Sequence, residues 1–149
     1  MVTWQAFEAE SGELAAFGRE RLDRRVSFLA TIRGDGGPRV HPVTPWIFDG
    51  HLYVRMFDTS PKVADLTRDP RYALHSMMDN DDGVGGEVAL RGEARLESDQ
   101  ALIDAAFSAV ADFTDRPLVL FEFLIDEVAT TTYHGDETER RRWRAAPTS

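Results

Sequence analysis

The sequence predicts an α+β fold dominated by antiparallel β-structure: a closed or partly closed barrel of six strands, with an N-terminal helical arm and two inserted helices. Three observations carry that expectation. Apolar and polar residues alternate at period two through most of the chain, Gly-containing turns separate the alternating runs, and helical spacing is confined to the first stretch and two short inserts. Strands joined mostly by tight turns cannot build a βαβ parallel sheet, whose connections need long crossovers.

Trp4 with Phe7, then Leu14, Phe17 and Leu22, recur at helical spacing, interrupted at Ser11-Gly12, which makes residues 1–24 a helical arm. From Val26 the period becomes two, with Val26, Phe28, Ala30 and Ile32 on one face. Gly34-Asp35-Gly36-Gly37 then supplies a hairpin turn into a strand from Pro38 to Phe48. Asp49-Gly50 is a strong two-residue turn into a strand from His51 to Phe57. A short helix follows: Ser60 is a good N-cap, Pro61 suits the first helical position, and Asp69 before Pro70 marks the end. Next come a strand from Tyr72 to Met78, a polar loop from Asp79 to Gly86, and a strand from Glu87 to Glu97. In that last strand Val88, Leu90, Gly92, Ala94 and Leu96 face one way. Leu102, Ile103, Ala106, Phe107 and Val110 form a helical stripe, and Leu118 to Tyr133 makes a long final strand. The 149 residues suffice for one domain with a real core; 136–149 reads as a flexible tail, since charge runs near a terminus, here Arg140 to Arg144, are usually solvated.

Pro42 and Pro45 each remove a ladder donor from the second strand, so that strand is expected to be an edge, bulged, or open to a ligand along part of its length. A two-residue turn at Asp49-Gly50 puts Trp46 opposite Tyr53, Thr44 opposite Arg55 and Pro42 opposite Phe57, a face both aromatic and basic. Val43, Ile47, Leu52 and Val54 fall on the core face. For Trp46, Tyr53 and Phe57 the readings are a second core, a subunit interface, or ligand contact.

With 42% hydrophobic and 29% charged residues the composition is that of an ordinary soluble domain. The net charge of −9 repels polynucleotides and anionic lipid, so neither nucleic acid nor membrane is an expected partner, and any phosphate site must be a local concentration of Arg and Lys. The chain has no cysteine, which removes disulfides and thiolate metal sites and fits a reducing compartment. Met1-Val2-Thr3-Trp4-Gln5 lacks the basic and apolar regions of a signal peptide, and no segment approaches membrane-spanning length, so a cytoplasmic protein is expected. His41, His51, His75 and His134 show no metal-ligand spacing. Asp79-Asn80-Asp81-Asp82-Gly83 fails as a calcium loop, because aligning on the glycine puts Met78 and Ala89 at ligand positions. Gly83-Val84-Gly85-Gly86 leads into a strand, not the helix that a dinucleotide fingerprint needs.

The most informative residue is Lys62. It stands in the first turn of the short helix, where partial positive charge and orphan N–H groups disfavour a cation and welcome an anion such as a phosphate. The alternative is that Lys62 lies in solvent or pairs with Asp58 or Asp65.

Phe28-Leu29-Ala30-Thr31, Gly37 to Val43, Asp49 to Tyr53, Ser60-Pro61-Lys62, Leu66, Asp69-Pro70-Arg71 and Gly92-Glu93-Ala94, taken in order, resemble the pyridoxamine 5'-phosphate oxidase-like, flavin-binding split-barrel family over about residues 26–97. The resemblance implies a homodimeric split barrel holding FMN, or in some branches the deazaflavin F420, between subunits. It implies that Ser60, Pro61 and Lys62 contact the cofactor phosphate, with Arg39 or Arg55 adding charge. Arg39, Val40, His41, Pro42, Val43 and Thr44 would run along the ring system, with Arg55 and Met56 beside it and Glu87 reaching the cofactor. A flavin carries the hydride chemistry itself, so the lack of an evident triad is no objection, and no catalytic residue is named. Pyridoxamine phosphate oxidases proper carry an Arg-Leu-x-Pro-like C-terminal segment. This chain has Trp143 but ends Arg144-Ala145-Ala146-Pro147, which argues against pyridoxamine phosphate as substrate. The expected function is an FMN-dependent oxidoreductase on an unidentified small molecule. The alternatives are an F420-dependent reductase and a non-catalytic module holding FMN, haem or another anionic ligand.

Overall fold

Thr3 opens the first helix, its side chain accepting from the Ala6 N–H at 3.3 Å, and α1 (Trp4–Glu10) ends where Ser11 turns out of helical geometry before α2 (Gly12–Leu22). The computed structural model describes residues 1–110 and 114–148. Within it follow β1 (Ser27–Ile32), β2 (Pro38–Val43), β3 (Trp46–Phe48), β4 (His51–Phe57), α3 (Pro61–Arg68), β5 (Arg71–Ser76), β6 (Glu87–Leu96), α4 (Gln100–Ser108), β7 (Leu118–His134) and β8 (Glu137–Arg144). Every strand pairing is antiparallel, in the order β2-β1-β5-β6-β7-β4-β3, with β8 added to β7. The fold is α+β and mainly antiparallel, as the sequence predicts, with eight described strands where six are expected.

Two elements account for the difference. The expected strand from Pro38 to Phe48 divides at Thr44-Pro45: β2 pairs with β1 and β3 with β4. Trp46 does face Tyr53, across an Asp49-Gly50 turn whose two residues both have positive φ (48° and 78°), the geometry that favours a glycine there. Thr44 and Pro42, however, do not pair with Arg55 and Phe57. The prolines lack the amide donors that ladder would need, and Pro42 instead lies opposite Phe28. No ladder joins β2 to β4 among the described residues, so the barrel has an open seam.

The second difference is at the C-terminus, where the expected flexible tail is corrected. Residues 137–144 pair with β7 from His134 back to Glu127. The inner face of β8 anchors it: the Trp143 ring lies 4.8 Å from that of Phe7, its Nε1 donates to Glu10 at 3.1 Å, and Arg141 pairs with Glu13 at 2.8 Å. Ser149, the last residue of the expected tail, lies outside the described residues.

The main core contains Trp4, Phe7, Leu29, Leu74, Leu90 and Phe123, all essentially inaccessible, so the N-terminal helices close the barrel instead of projecting as an arm. Val43, Ile47, Leu52 and Val54 join it as their spacing predicts. Trp46 and Tyr53 form a second small core with Ala106 and Leu120 under α4. The β1 face bearing Phe28 points outward: Phe28 is 41% and Val40, on the neighbouring strand, 62% exposed. Leu96, expected to share the buried face of β6, is half exposed at the strand's last position.

Candidate functional site

At the start of α3, Ser60 has extended backbone and Pro61 takes the first helical position, as the sequence predicts. The Ser60 hydroxyl makes no capping bond to the helix; it accepts from Lys62 Nζ at 2.9 Å. Lys62 is half-buried, and burial pushes its pKa down. Neither Asp58 nor Asp65 pairs with it. The Asp65 carboxylate is occupied by Arg39 Nε at 2.6 Å, the Thr31 hydroxyl at 2.8 Å and Arg68 at 3.3 Å. Among the described residues Lys62 therefore has no carboxylate within ion-pair distance, a poorly solvated cation held at the positive end of a helix.

This ammonium faces a cleft of about 300 Å³ at the open seam. Pro42, Val43 and Thr44 form one wall, Arg55, Met56 and Phe57 of β4 the other, with Thr114 and Leu118 completing it. The same absence of pairing that divides the second strand thus opens this space. Two cations, Lys62 and Arg55, share it with an apolar lining of Pro42, Val43, Met56, Phe57 and Leu118. A guanidinium, that of Arg116, stacks 3.6 Å from the centroid of the Phe57 ring. Such a cleft suits an amphiphilic anion: a flat apolar body against the side chains and a charged group at Lys62. An anionic cofactor phosphate fits these residues because Lys62 has no carboxylate to displace among the described residues.

Six of the sequence-predicted residues line the cleft: Pro42, Val43, Thr44, Arg55, Met56 and Lys62. Ser60 touches it through its bond to Lys62 Nζ, with Pro61 adjoining. Arg39 is committed to Asp65. His41 lies near enough that burial, then the positive charges of Lys62 and Arg39, push its pKa down. Val40 faces outward. Glu87 is at the start of β6, its carboxylate 3.9 Å from His75 Nε2, and does not line the cleft. Phe57, for which ligand contact is one of the three readings from sequence, lines it too, whereas Thr114 and Leu118 are lining residues that motif reasoning does not nominate. Leu118 lies opposite Phe57 only because β7 pairs with β4, a long-range fact with no local signature.

A larger cavity, about 470 Å³, is lined by Arg71, Arg91 and Arg144 among others. Its arginines are already paired, Arg91 and Arg144 with Glu127 and Arg71 with Asp69, so it offers less to an anion. No helix among the described residues is long and apolar enough to cross a membrane.

Open seam, inserted helix and two-sheet-edge cleft define a split barrel. The chain belongs to the pyridoxamine 5'-phosphate oxidase family, whose model matches residues 13–134. Solved structures share the fold. A heme-binding protein from Mycobacterium smegmatis superposes with a TM-score of 0.62 at 20% identity, over 85% of this chain and 55% of its own, so this chain spans just over half that protein's length. A NimC/NimA family protein from Clostridium acetobutylicum gives 0.61 at 22% identity, over 85% and 91% of the two chains. An F420 reductase gives 0.55 at 16%, over 72% and 91%. No curated protein matches the sequence.

Proposed function

We propose that the protein is a cytoplasmic, homodimeric oxidoreductase that uses FMN, bound with its phosphate at Lys62 and its ring along the β2–β4 seam, to act on a small molecule other than pyridoxamine phosphate. The observation that carries the reading is the half-buried Lys62 ammonium, without a carboxylate partner among the described residues, in a cleft with Arg55 and an apolar lining. Membership of the family supports a flavin-type cofactor. The flavin supplies hydride transfer; the chain's own residues bind the phosphate, orient the ring and exclude water from it.

A second copy fits two features. The cleft, about 300 Å³, is at the low end for ligand sites, so a further wall would complete it. The outer sheet face also leaves Phe28, Val40 and Met77 at 41%, 62% and 44% exposure, an apolar surface that a dimer would cover.

The test is an absorption spectrum of the purified protein offered FMN, F420 and haem separately. The proposal expects a bound flavin that a nicotinamide donor reduces and a substrate reoxidises. F420 in its place identifies the deazaflavin branch; haem binding, or flavin binding with no turnover, identifies a non-catalytic module. Lys62→Ala is expected to weaken FMN binding at least tenfold, about 1.4 kcal/mol, the loss of one charge-assisted phosphate contact. An unchanged dissociation constant by fluorescence titration would remove the site.

A further inference from the structure

Of the 17 lysine and arginine residues in the chain, Lys62 is the only lysine. A phosphate alone does not ask for that choice, because the planar guanidinium fork binds phosphate at least as well as an ammonium. What a lysine can do and an arginine cannot is give up its proton near neutral pH and act as a nucleophile.

The surroundings of Lys62 favour that reaction. Its side chain is half-buried and lines the seam cleft, and burial pushes its pKa down, so a larger share of the amine is neutral at a given pH. The charged and titratable groups near it are Arg39 and His41 of β2, Arg55 of β4 and Asp65 of α3. The one carboxylate of that group, Asp65, is taken by Arg39, Thr31 and Arg68, so nothing in it holds Lys62 in the charged form. Its place at the start of α3 adds the partial positive charge of a helix end, which disfavours an ammonium. The Ser60 hydroxyl, 2.9 Å from Nζ, keeps its bond to one N–H of a neutral amine and leaves the nitrogen lone pair for attack.

We infer that Lys62 is a carbonyl-reactive amine and that the cleft takes a small, flat aldehyde bearing an anionic group, held as an imine on Nζ. The Nζ nitrogen, having lost a proton to solvent, adds to the carbonyl carbon. The carbinolamine oxygen then takes up the protons and leaves as water while the C=N bond forms, so amine and aldehyde give imine and water with no change of oxidation state. The flat body matches Pro42, Met56, Phe57 and Leu118, and the anionic group matches Arg55 and the start of α3, which stay positive once the amine is neutral. At about 300 Å³ the cleft suits a single-ring aldehyde. The site is the cleft of the proposed cofactor, but the inference needs no flavin.

4-Formylbenzoate is the probe, offered to the full-length protein, trapped with cyanoborohydride, which delivers hydride to the imine carbon, and located by peptide mass spectrometry. The chain presents two primary amines to it, Lys62 and the Met1 α-amino group, which pairs with Asp126 at 3.2 Å. At pH 7 the adduct is expected on Lys62, at a rate that saturates with aldehyde and is at least about tenfold that of Nα-acetyl-lysine. Benzaldehyde, which lacks the anion, should react at least about tenfold more slowly once each aldehyde is referred to its own rate with Nα-acetyl-lysine. Lys62→Arg, which keeps the charge, should lose the adduct. Labelling of Lys62 no faster than the free amine, labelling mainly at Met1, or equal reaction of benzaldehyde overturns the inference. Fast Lys62 labelling in a protein that takes no FMN would sink the cofactor reading and leave the amine's reactivity standing; FMN binding without fast labelling would do the reverse.

Discussion

Gly92→Ala is expected to destabilise the protein by about 3 kcal/mol or more, enough to lower Tm by roughly 10 °C in a chain of this size. Gly92 stands at the irregularity in the β6–β7 register, where β7 crosses closely over β6. A β-carbon there would overlap the Leu124 carbonyl oxygen and lie 3.0 Å from the Leu124 carbon and 3.1 Å from the Asp126 nitrogen. All three are backbone atoms of the strand that pairs with both β6 and β4, so relief means shifting the centre of the sheet and not one flexible side chain. Gly12→Ala is the control: its β-carbon meets nothing within 4 Å at the start of α2, and its Tm should change by no more than a few degrees. Thermal unfolding by circular dichroism reads both. A Gly92→Ala variant melting within about 2 °C of the parent would mean that the β6–β7 crossing is not as close as described.

Asp65→Asn is the second large effect, about 3 kcal/mol of lost stability. The carboxylate is 3% exposed and receives Arg39, Thr31 and Arg68 together, so its replacement leaves the Arg39 guanidinium without its counter-charge. Burial works against the ionised Asp65, but the hydrogen bonds from Arg39, Thr31 and Arg68 outweigh it and hold the pKa below the ordinary carboxylate value. A carboxyl depressed in the folded state contributes stability that is full above its unfolded pKa, near 3.9, and is lost as pH falls through the lower folded value. Chemical denaturation from pH 7 to pH 2 should therefore show the parent losing stability below about pH 4, and the Asn variant, already destabilised at neutral pH, losing less over the same interval. Parallel curves would show that Asp65 is not the group responsible. The pairing also bears on the cleft: with Asp65 engaged by Arg39, it is withheld from Lys62.

The elements carrying strong local signals are where the sequence reading and the structure agree. Ser60-Pro61 opens α3 at the expected residue, Asp49-Gly50 closes the expected hairpin, and the alternation of Val88, Leu90, Gly92 and Ala94 marks the buried face of β6. Disagreement begins where pairing is decided at long range. The prolines in the 38–48 segment signal trouble with the ladder, yet nothing local says that β2 turns to β1 while β3 stays with β4. The C-terminal arginine run reads as a solvated tail because its charges are visible in sequence and its anchors, Phe7, Glu10 and Glu13, are more than 120 residues away in the chain. For the cleft, Lys62 and the Pro42 to Thr44 strand are legible through helix-end electrostatics and missing donors. Leu118 and Thr114 come from the far end of the fold and leave no comparable mark.

The central claim is that a phosphate docks against Lys62. Parallel titrations of the parent and of Lys62→Ala with FMN and with riboflavin, which differ only by that phosphate, test it most directly. The account predicts that the parent prefers FMN by at least about tenfold and that the variant loses most of this preference. Equal affinity of the parent for the two flavins, or a preference that survives intact in the variant, would contradict it.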